Sequence, residues 1–153
     1  MQMKAYRKIG ILLLMLLVVM QFIQPKKNRA EGLGEGDISN VYALPDGLHE
    51  LFRKKCYDCH SNNTRYPWYF NVQPIGWWLA AHVHDGKEHL NFSEFKRYDA
   101  KKANHALEEI GEVIEEGSMP IKAYTMFHAD SKITPEEAAK INAWLASLEI
   151  SAH

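Results

Sequence analysis

A chain of 153 residues, 46% hydrophobic and 24% charged, has room for one small domain and none for a large catalytic cavity. Its formal net charge of −1 hides an asymmetry: six of the 18 Lys and Arg lie at or before Arg29 and all 19 acids lie after it, leaving 12 cations against 19 acids, a net of −7, from residue 30 onward. So acidic a body repels phosphate backbones, which excludes nucleic acid as a partner and favours neutral or basic docking partners. With only Cys56 and Cys59 present, no disulfide framework holds the fold, and the pair needs a local explanation.

At the N-terminus, Lys4, Arg7 and Lys8 precede an apolar run from Ile9 to Ile23, interrupted by Gly10 and Gln21, which is the plan of an export signal. The run is short beside the ~20 residues usual for a membrane span. No small-x-small cleavage site follows it, since Gln21-Phe22-Ile23-Gln24-Pro25 offers bulky or polar groups. Residues 1–25 therefore read as an uncleaved signal anchor, a membrane-anchor helix, with a cleaved signal peptide as the alternative. A buried soluble helix would need a far larger core. Lys26, Lys27 and Arg29 balance the three cations on the near side, so charge alone leaves the orientation open. Residues 26–44, charged and carrying Gly32, Gly34 and Gly36, read as a flexible linker.

Residues 45–150 read as an all-α domain, with no sustained alternation of the kind strands need. The first helix is expected over about Pro45–His60, with Leu48, Leu51, Phe52 and Lys55 or Cys56 on one face. The second starts near Pro74, with a stripe of Ile75, Trp78, Leu79 and His82. A third, over about Asp99–Glu116, groups Ala103, Leu107, Ile110 and Ile114 and ends on Gly117 as its C-cap. The last opens with Thr134 as cap, Pro135 at the first position and Glu137 completing a capping box, and buries Ala138, Ile141, Leu145 and Leu148 with Trp144 beside them. The aromatic loop Tyr66-Pro67-Trp68-Tyr69-Phe70 exceeds what so short a chain needs for its own core. It is suited to wrapping a flat apolar ligand.

Cys56-Tyr57-Asp58-Cys59-His60 is the c-type haem attachment motif. Positions i and i+3 share a helix face, so both thiols can bond the vinyl groups along one porphyrin edge, and His60 supplies the proximal nitrogen to iron. A thioredoxin-like dithiol would need a βαβ setting that is missing. A zinc finger would need two nearer ligands than His84 and His89, which begin 25 positions after Cys59. A disulfide across so small a loop would stabilise little. The cofactor expected is one haem c, bound through Cys56 and Cys59, and it would form the centre of a small domain's core.

The stretches Cys56 to Pro74, Trp77 to Phe95 and Met119 to Thr134 resemble the bacterial haem-binding domain family, itself similar to small class I cytochromes c. That resemblance implies a cytochrome c-like helical domain wrapped round one haem over about residues 45–150. In the related cytochromes an aromatic of the last helix packs on the first helix, a pairing that Trp144 and Phe52 would reproduce here. The acidic run Glu108, Glu109, Glu112, Glu115 and Glu116 departs from the basic haem rim of some soluble cytochromes.

For a distal ligand the choice narrows quickly, because Met1, Met3, Met15 and Met20 belong to the N-terminal segment. Met119 follows the Gly117 cap, precedes Pro120 and lies 59 positions after His60, as distal methionines of the cytochrome plan do. Met126, His82, His128 and an open iron are the alternatives, and both methionines could instead be apolar filler. Trp68 from the aromatic loop, and Trp77, Trp78, Tyr124 and Arg65 as N–H or O–H donors, are candidate contacts to the haem and its propionates. His82 suits a core or propionate-side position and His128 a buttress to the distal loop. His84, His89, His105 and His153 read as solvated, and Arg53, Lys54 and Lys55 offset a helix dipole or meet an acidic partner.

Together these point to a membrane-tethered monohaem cytochrome with no catalytic residue, passing single electrons between redox proteins outside the cytoplasm. It would be anchored in the cytoplasmic membrane by its N-terminus, with the haem domain facing the periplasm or exterior. A haem-based sensor or ligand-binding module is the alternative. A peroxidase-like enzyme is a third, needing His82 or His128 beside an open iron.

Overall fold

A computed structural model describes residues 2–148, so residues 149–150 of the expected domain, and His153, lie outside the described residues. The described residues are all-α: helices α1 (Gln2–Met20), α2 (Leu48–Lys55), α3 (Tyr57–His60), α4 (Ile75–His89), α5 (Ala100–Glu115), α6 (Lys122–Phe127) and α7 (Pro135–Ser147), joined by loops and 3-10 turns. The only pairing of strand type among them is an isolated bridge between Arg29 and Asn63.

The core forms where three amphipathic helices meet. Leu48, Leu51 and Phe52 of α2, Ala103, Leu107 and Ile110 of α5, and Ile141, Trp144 and Leu145 of α7 are all buried, on the faces that helical periodicity selects. Phe92 is sandwiched between Tyr57 and Phe52, with centroids 5.1 and 5.3 Å away and rings 14° and 21° from parallel. Trp144 meets Phe52 edge-on at 5.6 Å, the expected pairing of last and first helices, and its indole N–H donates to the Ala43 carbonyl at 3.1 Å.

The ends of α5 and α7 are closed by hydrogen-bonded caps. Thr134 and Glu137 form the reciprocal capping box, with Pro135 at the first position of α7. Asp99 caps α5 by accepting from Lys102 N–H at 2.7 Å. Gly117, at φ 64°, ends α5 with the paired bonds of a Schellman turn, Ser118 N–H to Val113 O at 3.1 Å and Gly117 N–H to Ile114 O at 3.2 Å.

Three expectations are corrected. The first helix is two, because the backbone at Cys56 departs from regular helical φ (φ −119°, ψ −40°), so that α2 ends there and α3 begins at Tyr57. On α4 the stripe is rotated: Gly76 and Val83 are buried, while Ile75 and Trp78 stay 45% and 43% exposed. Residues 26–44 are not a free linker. Asn28 donates to Ser61 O and Thr64 Oγ1, Ala30 N–H donates to Asn62 O, and Asp37 and Ile38 are completely buried, with the Tyr57 hydroxyl on the Asp37 carboxylate at 3.0–3.1 Å. The segment lacks apolar groups to fold by itself, but its polar groups find partners in the loops after α3.

Helix α1 stands apart, with Ile9 and Ile11 to Val19 each 48–63% exposed. No helix among the described residues is long and apolar enough to cross a membrane. Lys4, Arg7 and Lys8 occupy its first turns, and the remaining apolar part from Ile9 to Met20 is only about 18 Å long at 1.5 Å per residue.

Candidate haem site

Beside the core lies a cavity of about 310 Å³, walled chiefly by apolar side chains that include Phe52, Phe92, Ile110, Val113, Ile121 and Ile141. Its size and lining suit a cofactor-scale apolar ligand. Cys56, Cys59, His60 and Met119 all line it.

Two local features bring these side chains together. Helix α3 is a single turn pressed against α4 at Gly86, where a Cβ would meet the Cys59 carbonyl oxygen at 2.9 Å and the Cys59 Cβ at 3.3 Å. Any larger residue would push the helices apart. The Gly117 turn ends α5 and delivers Met119, Pro120 and Ile121 to the same cavity.

The ionisation of the donors follows from burial. Desolvation, with the neighbouring Cys59 adding to it and Lys55 opposing, pushes the Cys56 thiol up to about 12, and burial followed by the Asp58 charge pushes Cys59 to about 11. Both are free, neutral thiols at neutral pH. Burial also lowers the His60 pKa, so its imidazole is neutral. Its Nδ1 lies 3.1 Å from the Leu90 carbonyl, which can only accept; the proton therefore sits on Nδ1 and Nε2 keeps its lone pair for a metal.

A polar network ties the Met119 side of the cavity to α3. Buried Asp58, between the two cysteines, accepts from Arg65 Nε, Nη2 and backbone N–H, each at 3.1 Å, and from the Tyr124 hydroxyl at 2.7 Å. Burial, and then the bond to Asp58, hold the Tyr124 phenol well above its ordinary value, so it remains a neutral donor. Tyr124 stacks on His128 at 4.5 Å, and His128 Nε2 pairs with the Tyr69 hydroxyl at 2.9 Å, the buttress expected of this histidine. On another wall, Lys55 Nζ donates to Glu137 at 2.6 Å and to the Lys132 carbonyl, joining α2 to the α7 capping box. It is not a surface cation.

Four expected contacts fall outside the cavity. Trp68 is 78% exposed, the Trp77 indole donates to Ile23 O, Trp78 packs on His82 at 4.0 Å with its own face half exposed, and Arg65 is engaged by Asp58. The aromatic loop serves the N-terminal segment instead: the Tyr66 hydroxyl accepts from Asn28 N–H at 2.8 Å and Tyr66 packs on buried Phe70 at 4.1 Å. Met126 is 74% exposed and does not reach the cavity. His82 and His89 line it, His89 remaining exposed to solvent as expected, with His82 Nδ1 donating to Trp78 O at 2.9 Å. Sequence reasoning passed over Asp58 and Gly86. A glycine inside a helical pattern was the one available sign of close packing.

A neutral imidazole with a free Nε2, a thioether and two neutral thiols around one apolar cavity fit the edge and the iron of a haem. Fold and site thus define a small all-α haem-binding module. The chain belongs to the haem-binding domain family, whose model matches residues 15–147. No curated protein and no solved structure matches it significantly.

Proposed function

We propose that the chain is a monohaem c-type cytochrome that carries single electrons between proteins outside the cytoplasm. The observation that carries this reading is the convergence of Cys56, Cys59, His60 and Met119 on one apolar cavity. Bound there, the haem iron supplies a one-electron couple. The Cys56 and Cys59 thiols would add across the two vinyl groups, His60 Nε2 would hold iron from the proximal side, and Met119 Sδ would take the distal position. The Leu90 carbonyl sets the His60 tautomer and ring plane. The Asp58–Tyr124 bond holds the chain that carries Met119 against α3, and the apolar walls exclude water.

Because thioether formation belongs to the outer side of the cytoplasmic membrane, the domain would face the periplasm or exterior, with α1 as its anchor. Lys4, Arg7 and Lys8 can snorkel toward the headgroups, which offsets the shortness of the apolar run. The acidic body suits basic or neutral redox partners.

Denaturing electrophoresis with a peroxidase stain tests the attachment. Native protein is expected to stain, and Cys56→Ala with Cys59→Ala to abolish the stain; a double variant that still stains would overturn covalent binding at this motif. A cytoplasm-only reporter fused after His153 is expected to be silent. Immediate carbon monoxide binding by the ferrous native protein would favour the sensor reading over electron transfer.

A further inference from the structure

Past the end of α1 the chain does not swing free, because it is clasped. Gln21 and Gln73 exchange two hydrogen bonds, Gln73 N–H to Gln21 Oε1 at 2.9 Å and Gln21 Nε2 to Gln73 O at 3.1 Å. Gln24 bridges Asn71 O and Gln73 Nε2, and the Trp77 indole donates to Ile23 O at 2.8 Å. Gln73 is 2% exposed, and a Cβ on neighbouring Gly76 would collide with the Phe70 carbonyl at 2.0 Å. The clasp therefore rests on close-packed backbone and sets the direction in which α1 leaves the domain.

Around this clasp sit apolar side chains that the core does not use. Phe22, Ile23, Trp68, Val72, Ile75 and Trp78 are all exposed, Trp68 and Phe22 at 78% and 83%, and each lies within three positions of a clasp residue. Ile75 and Trp78 share one side of α4. Apolar groups concentrated where an apolar helix emerges mark an interaction surface rather than scattered exposure. Exposed tryptophans together with exposed Lys26 and Lys27, the latter lying 5.6 Å over the ring of Phe70 in the same turn as Trp68, match the chemistry of a bilayer interface, where indoles lie among the headgroups and cations meet anionic lipid.

We infer that the surface carrying Trp68, Ile75 and Trp78 is seated in the headgroup layer of an anionic bilayer, so that the haem domain lies against the membrane in one orientation. This rests on the membrane-anchor reading of α1. The anchor and the seat are then one continuous lipid contact, held in register by Gln21, Gln24 and Gln73.

Photo-crosslinking of the full-length holoprotein in nanodiscs of phosphatidylethanolamine and phosphatidylglycerol separates the two claims. The photoreactive residue p-benzoylphenylalanine is placed singly at Leu13 in α1, at Trp68, at Ile75, and at Val41, an exposed residue next to Tyr42 on the Phe95 and Trp144 side of the core. After illumination, a lipid-sized mass shift is expected at positions 13, 68 and 75 and none at 41. A shift at 13 without one at 68 and 75, a shift at 68 and 75 the size of a second protein chain, or equal lipid shifts at 41 and 68 would each overturn the seat while leaving the anchor intact. Absence of a lipid shift at 13 would overturn the anchor, and the seat with it.

Discussion

Haem removal is the perturbation whose size the cavity itself dictates. A chain produced without haem must fold with the walls of a 310 Å³ cavity facing water or nothing. At ~24 cal/mol per Å³ of cavity, this is a loss of about 7 kcal/mol, an upper figure because Val113, Ile114 and Ile121 can collapse inward and water can enter the mouth. Single domains are stable by only about 5–15 kcal/mol, so the haem-free chain is left marginal. For a chain of this length, such a loss lowers Tm by about 15–25 °C. Thermal and urea unfolding followed by far-UV and near-UV circular dichroism measures it: the loaded protein should unfold in one cooperative step, while the haem-free chain should keep part of its helical signal and lose the near-UV signal of the Phe52–Phe92–Tyr57 stack. A haem-free chain melting within a few degrees of the loaded one would refute the idea that the cofactor completes the core.

Tyr124→Phe removes one hydrogen bond to the charged Asp58, a loss of about 1.5–3 kcal/mol. The ferrous protein should then bind carbon monoxide about 10–100 times faster, as the Met119 segment opens more often, and an unchanged rate would dismiss the latch. Met119→Ala should abolish the weak far-red band of thioether-ligated ferric haem and lower the reduction potential, whereas exposed Met126→Ala should keep both; the reverse pattern reverses the ligand assignment. Lys55→Met leaves Glu137 without its ammonium partner, and because the Glu137 side chain is 29% exposed the penalty is about 1–3 kcal/mol in urea unfolding rather than that of a fully buried pair. Burial pushes the Glu137 pKa up, but the bonds from Lys55 and Thr134 N–H outweigh it and hold the carboxyl below its ordinary 4.5. The pair's contribution is thus present above about pH 4.5 and fades as pH falls through the lower folded value. Titrating stability across that range should show a shallower acid loss in Lys55→Met than in the native protein.

What was legible in the sequence is what acts between residues a few positions apart. The Thr134–Glu137 box and the Gly117 turn are closed by residues a few positions apart, so their residue types suffice to place them. The buried faces of α2, α5 and α7 follow for the same reason, since 3.6-residue periodicity is a local pattern. The Cys56-x-x-Cys59-His60 motif belongs here too. Its three residues are neighbours in the chain, and only their surroundings, the Leu90 carbonyl and the approach of Gly86, required the fold.

What the sequence does not show are the partners that polar groups find far along the chain. Taken singly, residues 26–44 have the composition of a tether and 66–70 that of a ligand-wrapping loop, because the hydrogen bond between them belongs to neither segment alone. Asn28 and Tyr66, 38 positions apart, complete one another by a hydrogen bond, so one segment becomes ordered and the other becomes its support. The same holds at Asp58, a position the attachment chemistry leaves free. Nothing in Cys56-Tyr57-Asp58-Cys59-His60 requires an acid there, yet a buried carboxylate is costly unless satisfied. Its partners are Arg65, seven positions on, and Tyr124, 66 positions on, beside the very turn that carries Met119. An acid buried between the two cysteines with the Tyr124 phenol bonded to it has a physical use: it ties α3, which carries Cys59 and His60, to the segment that follows Met119, both of them walls of the same cavity.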